Sequence, residues 1–397
     1  MTTPELATAT EPFDRATVER IAPDLADGGA AVTRVDTTDP LRALATLYAL
    51  RAAGRTALVG GDDDLALDHH PGGDGDLAVL TSGSTGRPRA VLRSWTSWSD
   101  SFPAFTDLTG IGARDVVLVP GPLSSSLFLF AAVHALGCGA DVLATSRWHP
   151  ATAVSALDRA TAVHVTPSML ATLLDRAPAS LAGRVVVCAG AGLPATTAAR
   201  TRAAGARLTH YYGAAELSFV AAGTHEGDLR PFPGVAIDVR ADEIWVRSRY
   251  VASGYLGAAG QLRTRPGGWA SVGDRGRLHP DGRLSVHGRG DRFVLTGGAS
   301  VAAEEVEAAL RTVLPGTEVA VLGLPHPDLG EVVTVVVEDG GAVRPDRARL
   351  RDLLDPAHLP RRWLVVDRLP RTANGKVAQA RLRDGLRDGS LAARPLR

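Results

Sequence analysis

The chain has 397 residues, 45% of them hydrophobic and 22% charged, enough for two or more domains with cores of their own; a small peptide module and a disordered adaptor are excluded. Its 43 basic and 43 acidic side chains cancel, so no excess positive field exists to hold a nucleic acid backbone or an anionic membrane surface. Within the basic set Lys376 is the sole lysine, and every other member is arginine.

The opening residues MTTPELATATEPFDR lack a basic start followed by an apolar stretch, and the longest apolar run, around 127–140, is too short and too glycine-rich to span a bilayer. A cytoplasmic protein without a membrane span is expected. In chain order, 40–53 has helical period, 56–59 is a short apolar strand, and a polar glycine-rich stretch at 69–76 leads into a strand at 77–81. Apolar runs at 116–119, 185–188 and 207–211 then alternate with helical segments such as 151–159 and 194–204. That alternation predicts α/β sheets covered by helices. Trp95 and Trp98, three apart, are read as core-facing, and His134, His164 and His326 as structural or surface residues. Cys138 and Cys188 have no metal-ligand spacing and are expected to be buried and reduced.

After Phe232 the runs shorten. Segments 237–239, 243–247, 277–278 and 284–286, punctuated by glycines and by Pro280-Asp281-Gly282, predict hairpins of a small β-subdomain. Beyond Asp291 a unit of about a hundred residues carries helices at 302–312 and 345–354 and strands at 318–322, 332–337 and 363–366. The expected fold is therefore α/β: a large N-terminal domain, 1–290, made of α/β sheets with a small β-subdomain, and a small mobile α+β C-terminal domain, 291–397.

The segment Thr81-Ser82-Gly83-Ser84-Thr85-Gly86-Arg87-Pro88-Arg89 follows a predicted strand directly. Its glycines let backbone N–H groups turn toward an anion, and its four hydroxyls can donate to phosphate oxygens. It is a phosphate cradle, and it is not a Walker loop, since GxxxxGK[ST] is absent. Together with Tyr212-Gly213-Ala214-Ala215-Glu216, Gly273-Asp274, Gly288-Arg289-Gly290-Asp291 and Leu369-Pro370-Arg371-Thr372-Ala373-Asn374-Gly375-Lys376, in that order, the loop resembles the motif set of the AMP-forming adenylating enzymes: acyl-CoA synthetases, peptide-synthetase adenylation domains and luciferases.

The resemblance, running from about Leu77 to Leu382, implies two half-reactions: a carboxylate attacks the α-phosphate of Mg-ATP to give an acyl-adenylate, and a thiol then displaces AMP. It further implies a role for each matching residue. Thr81, Ser82, Gly83, Ser84, Thr85 and Gly86 would hold the β- and γ-phosphates, with Arg89 where many relatives carry lysine. Tyr212, followed by Gly213, would stack on adenine, with the backbone around Ala191 at the edge of the base. Asp274 and Arg289 would hold the ribose, Glu216 the magnesium ion, and Lys376, presented by Asn374-Gly375, would bridge the carboxylate and the α-phosphate. Asp291 would be the hinge, Gly297 and Gly298 would flank the thiol's pantetheine arm, and Ser125 and His210 would line the acyl pocket.

Departures from the pattern bear on the acceptor and the acid. Ala215 lacks a hydroxyl common in relatives, and Leu295, Ser300 and Gln379 replace frequent basic residues. The segment Pro120-Gly121-Pro122-Leu123-Ser124-Ser125-Ser126 has neither the histidine of many acyl-CoA synthetases nor the aspartate that pairs an amino acid's ammonium, which favours a plain carboxylic acid. The expectation is an ATP-dependent, AMP-forming acyl-CoA synthetase using ATP, Mg2+ and CoA. Its alternatives are loading of a carrier-protein phosphopantetheine thiol, an o-succinylbenzoate-CoA ligase, suggested by the short N-terminal region, and a weakly active adenylate-binding homologue.

Overall fold

A computed structural model describes the chain except residues 1–10, 26–31, 61–75, 82–88, 257–261, 290–292, 297–298, 315, 328, 340–346, 355–357, 373–374 and 397. The described residues build four sheets. In the first, Val32–Val35, Thr56–Val59 and Leu77–Thr81 run parallel, and Arg89–Arg93 and Gly254–Tyr255 close it antiparallel. The second orders Arg230–Pro231, Ser218–Gly223, Arg207–Ala214, Val185–Ala189, Ala162–Val165, Val116–Val119 and Asp141–Ala144. Its last five strands are mutually parallel.

These parallel strands read as unbroken apolar runs because helices cover both faces of such a sheet. All five residues of Val185–Ala189 are buried, as are all four of Ala162–Val165. The helix Ser126–Gly137 packs on Val116–Val119 and Asp141–Ala144, and Phe128 through Leu136 are buried along it. Proline stands in the first turn of Pro150–Leu157 and Pro167–Arg176, where the missing N–H costs nothing. Trp95 and Trp98 lie in this core as expected, and His134 and His164 are buried with them. Cys188 is buried too, but Cys138, at the exposed end of its helix, is only half-buried.

The hairpin region forms the third sheet, from Ala236–Arg240 to Leu284–Arg289. The fourth holds Ala299–Ala302, Phe293–Thr296, Gly330–Glu338, Arg362–Val366 and Ala393–Pro395, with Val319–His326 beside Gly330–Glu338. Period two divides that central strand: Val333, Val335 and Val337 pack with the helices Ala303–Val313 and Arg347–Leu353, while Val336 packs with Leu382 of Gln379–Asp388. The chain is thus mixed α/β, with a small α+β unit after the third sheet. Asp291, at the expected division between domains, lies outside the described residues. No helix among the described residues is long and apolar enough to cross a membrane.

Candidate active site

The Leu77–Thr81 and Arg89–Arg93 strands are an antiparallel pair in which Thr81 faces Arg89. The expected phosphate loop therefore joins the ends of two adjacent strands. Ser82, Gly83, Ser84, Thr85 and Gly86 themselves lie outside the described residues, and Thr81 is described by its backbone alone. Arg89 places its guanidinium carbon 5.5 Å from the centre of the Tyr255 ring.

Across the site, the hairpin joining Arg207–Ala214 to Ser218–Gly223 carries the Tyr212 to Glu216 motif. A side chain at Gly213 would overlap the Ser218 carbonyl oxygen, so only glycine lets these strands approach. Ser218 holds a positive φ of 60°, completing the tight turn. Tyr212 Oη donates to Asp274 Oδ2 at 2.7 Å, joining the second sheet to the third. Asp274 is buried, and Arg289 pairs with it in the backbone register; the Arg289 side chain is outside the described set. The structure thus brings together three residues that lie more than seventy positions apart at their extremes.

Glu216 is 6% exposed and is held from several directions. Tyr255 Oη donates to its Oε1 at 2.9 Å, and Ala252 N–H donates to its backbone carbonyl at 2.7 Å. Burial, and then the neighbouring carboxylate, raise the Tyr255 phenol above its ordinary value, so it remains a hydrogen donor at neutral pH. Behind the turn lies Arg93, fully buried, whose Nη2 donates to the Ala215 carbonyl at 2.7 Å. Burial brings its guanidinium down to about 9, opposed by the charge of Glu216, and it stays ionised at neutral pH. Neither Tyr255 nor Arg93 was singled out by the sequence, because each belongs to a strand remote from the motif it touches.

Lys376 reaches this region from the fourth sheet's unit. Its turn is closed by Gly375 N–H donating to the Thr372 carbonyl at 2.9 Å and Thr372 N–H donating to the Lys376 carbonyl at 2.8 Å, with Gly375 at φ 76°. Asn374 lies outside the described residues. The Lys376 ammonium stands over Gly190, φ 91°: a Cβ built there would be 3.3 Å from Nζ and 3.8 Å from Leu127 Cδ2. The amine, the loop with exposed Ala191 and the start of the Ser126–Gly137 helix therefore meet at one point.

Ser125 is buried at the N-terminal end of that helix, and its backbone bridges Leu80, one residue before Thr81. His210 is 1% exposed and sits beneath the loop, its Nδ1 3.0 Å from the Cys188 carbonyl, with burial lowering it to about 4. Asp291, Gly297 and Gly298 lie outside the described residues, as do the side chains of Leu295 and Ser300. No group of three or more His, Cys, Asp or Glu side chains among the described residues forms a metal cage.

The profile of the AMP-binding enzyme family matches residues 13–256, and that of the AMP-binding enzyme C-terminal domain matches 305–376. Among curated relatives, the uncharacterized acyl-CoA ligase YhfT of Bacillus subtilis is 31% identical over 78% of this chain and 68% of its own length. Feruloyl-CoA synthase of an Amycolatopsis species is 30% identical over 90% of this chain and 80% of its own. Among solved structures, ATP-bound MatB from Rhodopseudomonas palustris superposes with a TM-score of 0.79 at 22% identity, covering 94% of this chain and 92% of that one.

Proposed function

The chain belongs to the AMP-binding enzyme family and is an ATP-dependent acyl-CoA synthetase, and on that premise we propose that Lys376 and Glu216 carry the adenylation of a plain carboxylic acid before its transfer to CoA. The observation that carries this reading is the approach of the sole lysine to Gly190, beside Leu127 and the loop after the Val185–Ala189 strand.

Adenylation sets an anionic nucleophile against a polyanion, so the work is charge neutralisation and alignment. The acid's carboxylate oxygen attacks the α-phosphorus, the bond to the bridging oxygen breaks, and pyrophosphate leaves. Lys376 lies between the two negative partners and offsets their repulsion. A compact ammonium on a flexible stem suits that narrow approach better than a planar guanidinium. Tyr212 and Asp274, joined by their hydrogen bond, form the face on which adenine and ribose rest. Arg89 and the phosphate loop hold the leaving pyrophosphate. In the second half-reaction the CoA thiolate attacks the acyl carbon and AMP departs.

Glu216 is the residue that would hold magnesium. A phosphate-borne Mg2+ needs only one or two protein carboxylates, and a buried glutamate oriented by Tyr255 meets that requirement. When bound, the ion supplies Lewis-acid neutralisation of phosphate charge. The missing aspartate in 120–126, together with buried Leu123 and the apolar Leu127, supports an acid without an α-ammonium.

The test is pyrophosphate exchange with a panel of acids, followed by trapping with CoA or with a carrier protein. Acid-dependent exchange and an acyl-CoA product are expected; product with the carrier alone would move the acceptor to the alternative reading. Lys376→Arg should lower exchange by about two to three orders of magnitude, and near-normal exchange would remove Lys376 from the reaction.

A further inference from the structure

Arg93 has no place in the reading above, yet its surroundings are costly to maintain. It follows the apolar Ala90, Val91 and Leu92 in its strand and is fully buried, where a charge gives up its hydration and is costly unless paired. An apolar residue would fill the volume against Trp98, whose ring centre lies 5.1 Å from the guanidinium carbon. Instead Nη1 donates to Ser97 Oγ at 3.1 Å and Nη2 to the Ala215 carbonyl at 2.7 Å, while Nε has no hydrogen-bond partner. Arg89 and Arg93, four apart on one strand, project from the same face. Arg89 reaches the Tyr255 ring and Arg93 the residue preceding Glu216, so two guanidiniums of one strand flank the Tyr255–Glu216 pair.

We propose that Arg93 is a positioning residue for Glu216: it fixes the Ala215 peptide and supplies the buried positive charge that keeps the glutamate aimed at the metal carried by the nucleotide. The inference rests on the assignment of Glu216 as the magnesium-holding carboxylate. It gives Arg93 a role through another residue, with no contact to substrate required. Outer partners of this kind set metal affinity because they fix the ligand's direction and charge.

The experiment titrates Mn2+ into the full-length protein with a non-hydrolysable ATP analogue and reads free Mn2+ by its electron paramagnetic resonance. Glu216→Gln and Arg93→Gln should each weaken Mn2+ retention by about tenfold or more. The double variant should be no weaker than Glu216→Gln alone, and Arg93→Lys should recover part of the loss. Apparent KM for Mg-ATP in pyrophosphate exchange should rise with the Mn2+ constant. A folded Arg93→Gln protein with wild-type Mn2+ retention, or additive losses in the double variant, would overturn the proposal while leaving Glu216 as ligand. Unchanged retention in Glu216→Gln would instead remove the metal assignment beneath it. If Arg93→Gln does not fold, Arg93→Met, which fills the same volume with apolar atoms, decides by the same criterion.

Discussion

At Glu216 the distinction between the proposed ligand and its support becomes measurable. The Tyr255 hydroxyl reaches the carboxylate at 2.9 Å from a ring that is only partly buried, so Tyr255→Phe removes one hydrogen bond while leaving little unfilled space. A bond to a charged acceptor contributes about 1.5–3 kcal/mol in general, and solvent access places this one toward the low end. Exchange should fall about tenfold, with the unfolding midpoint in urea hardly moved; equal losses in both would make Tyr255 a packing residue. The acidic residue itself was legible from its motif. Its partners were not, since nothing in the run Arg89–Arg93 distinguishes a buried guanidinium from a surface one, and Tyr255 follows a glycine in a two-residue strand. The signals for both are relations between strands, which a linear pattern does not record.

Among the elements, the hairpin carrying Tyr212 and Glu216 depends on one missing side chain. A Cβ at Gly213 would meet the Ser218 carbonyl oxygen, a backbone atom that cannot rotate away. Gly213→Ala should therefore open the strand pair, destabilise the protein by roughly 2–4 kcal/mol in urea unfolding, and lower nucleotide affinity as Tyr212 leaves Asp274. Wild-type stability would show that the hairpin can slide to make room. Element positions followed the hydrophobic period closely. The runs at 56–59, 77–81 and 116–119 are strands with those bounds, because buried parallel strands must be apolar throughout. The expected strand 207–211 continues to Ala214 instead. Its polar and small residues are paired in a ladder whose bonds do not depend on side-chain hydrophobicity. The Gly254–Tyr255 strand was unreadable for a similar reason: two residues have no period, and only pairing with Leu92 and Val91 makes them a strand.

For the molecule as a whole, acid should be the weak side. His134, His164 and His210 are buried, and burial lowers them to about 4, 3 and 4, respectively. The unfolded chain takes up protons at these rings near their ordinary 6.5, whereas the folded chain excludes them. Their stabilising contribution is complete above about pH 6.5 and is lost as pH falls toward the folded values. Urea unfolding at pH 7.5 and at pH 5 should differ by a few kcal/mol, more than the carboxylates alone explain. His164 has neither ring nitrogen hydrogen-bonded, so His164→Leu should flatten the acid slope; an unchanged slope would place the lability elsewhere.

The amine over Gly190 also has a use at this scale. Apart from the α-amine, Lys376 is the polypeptide's only primary amine, so an acylating reagent has a single side-chain target whose reactivity depends on what stands beside it. The Lys376 nitrogen stands beside the Gly190 loop and Leu127 while the residue as a whole remains exposed, so a nucleotide bound at this point would cover it. The rate of amine modification, followed by intact mass, should therefore fall when nucleotide is present, and an unchanged rate would place the nucleotide away from Lys376; no engineered label is needed.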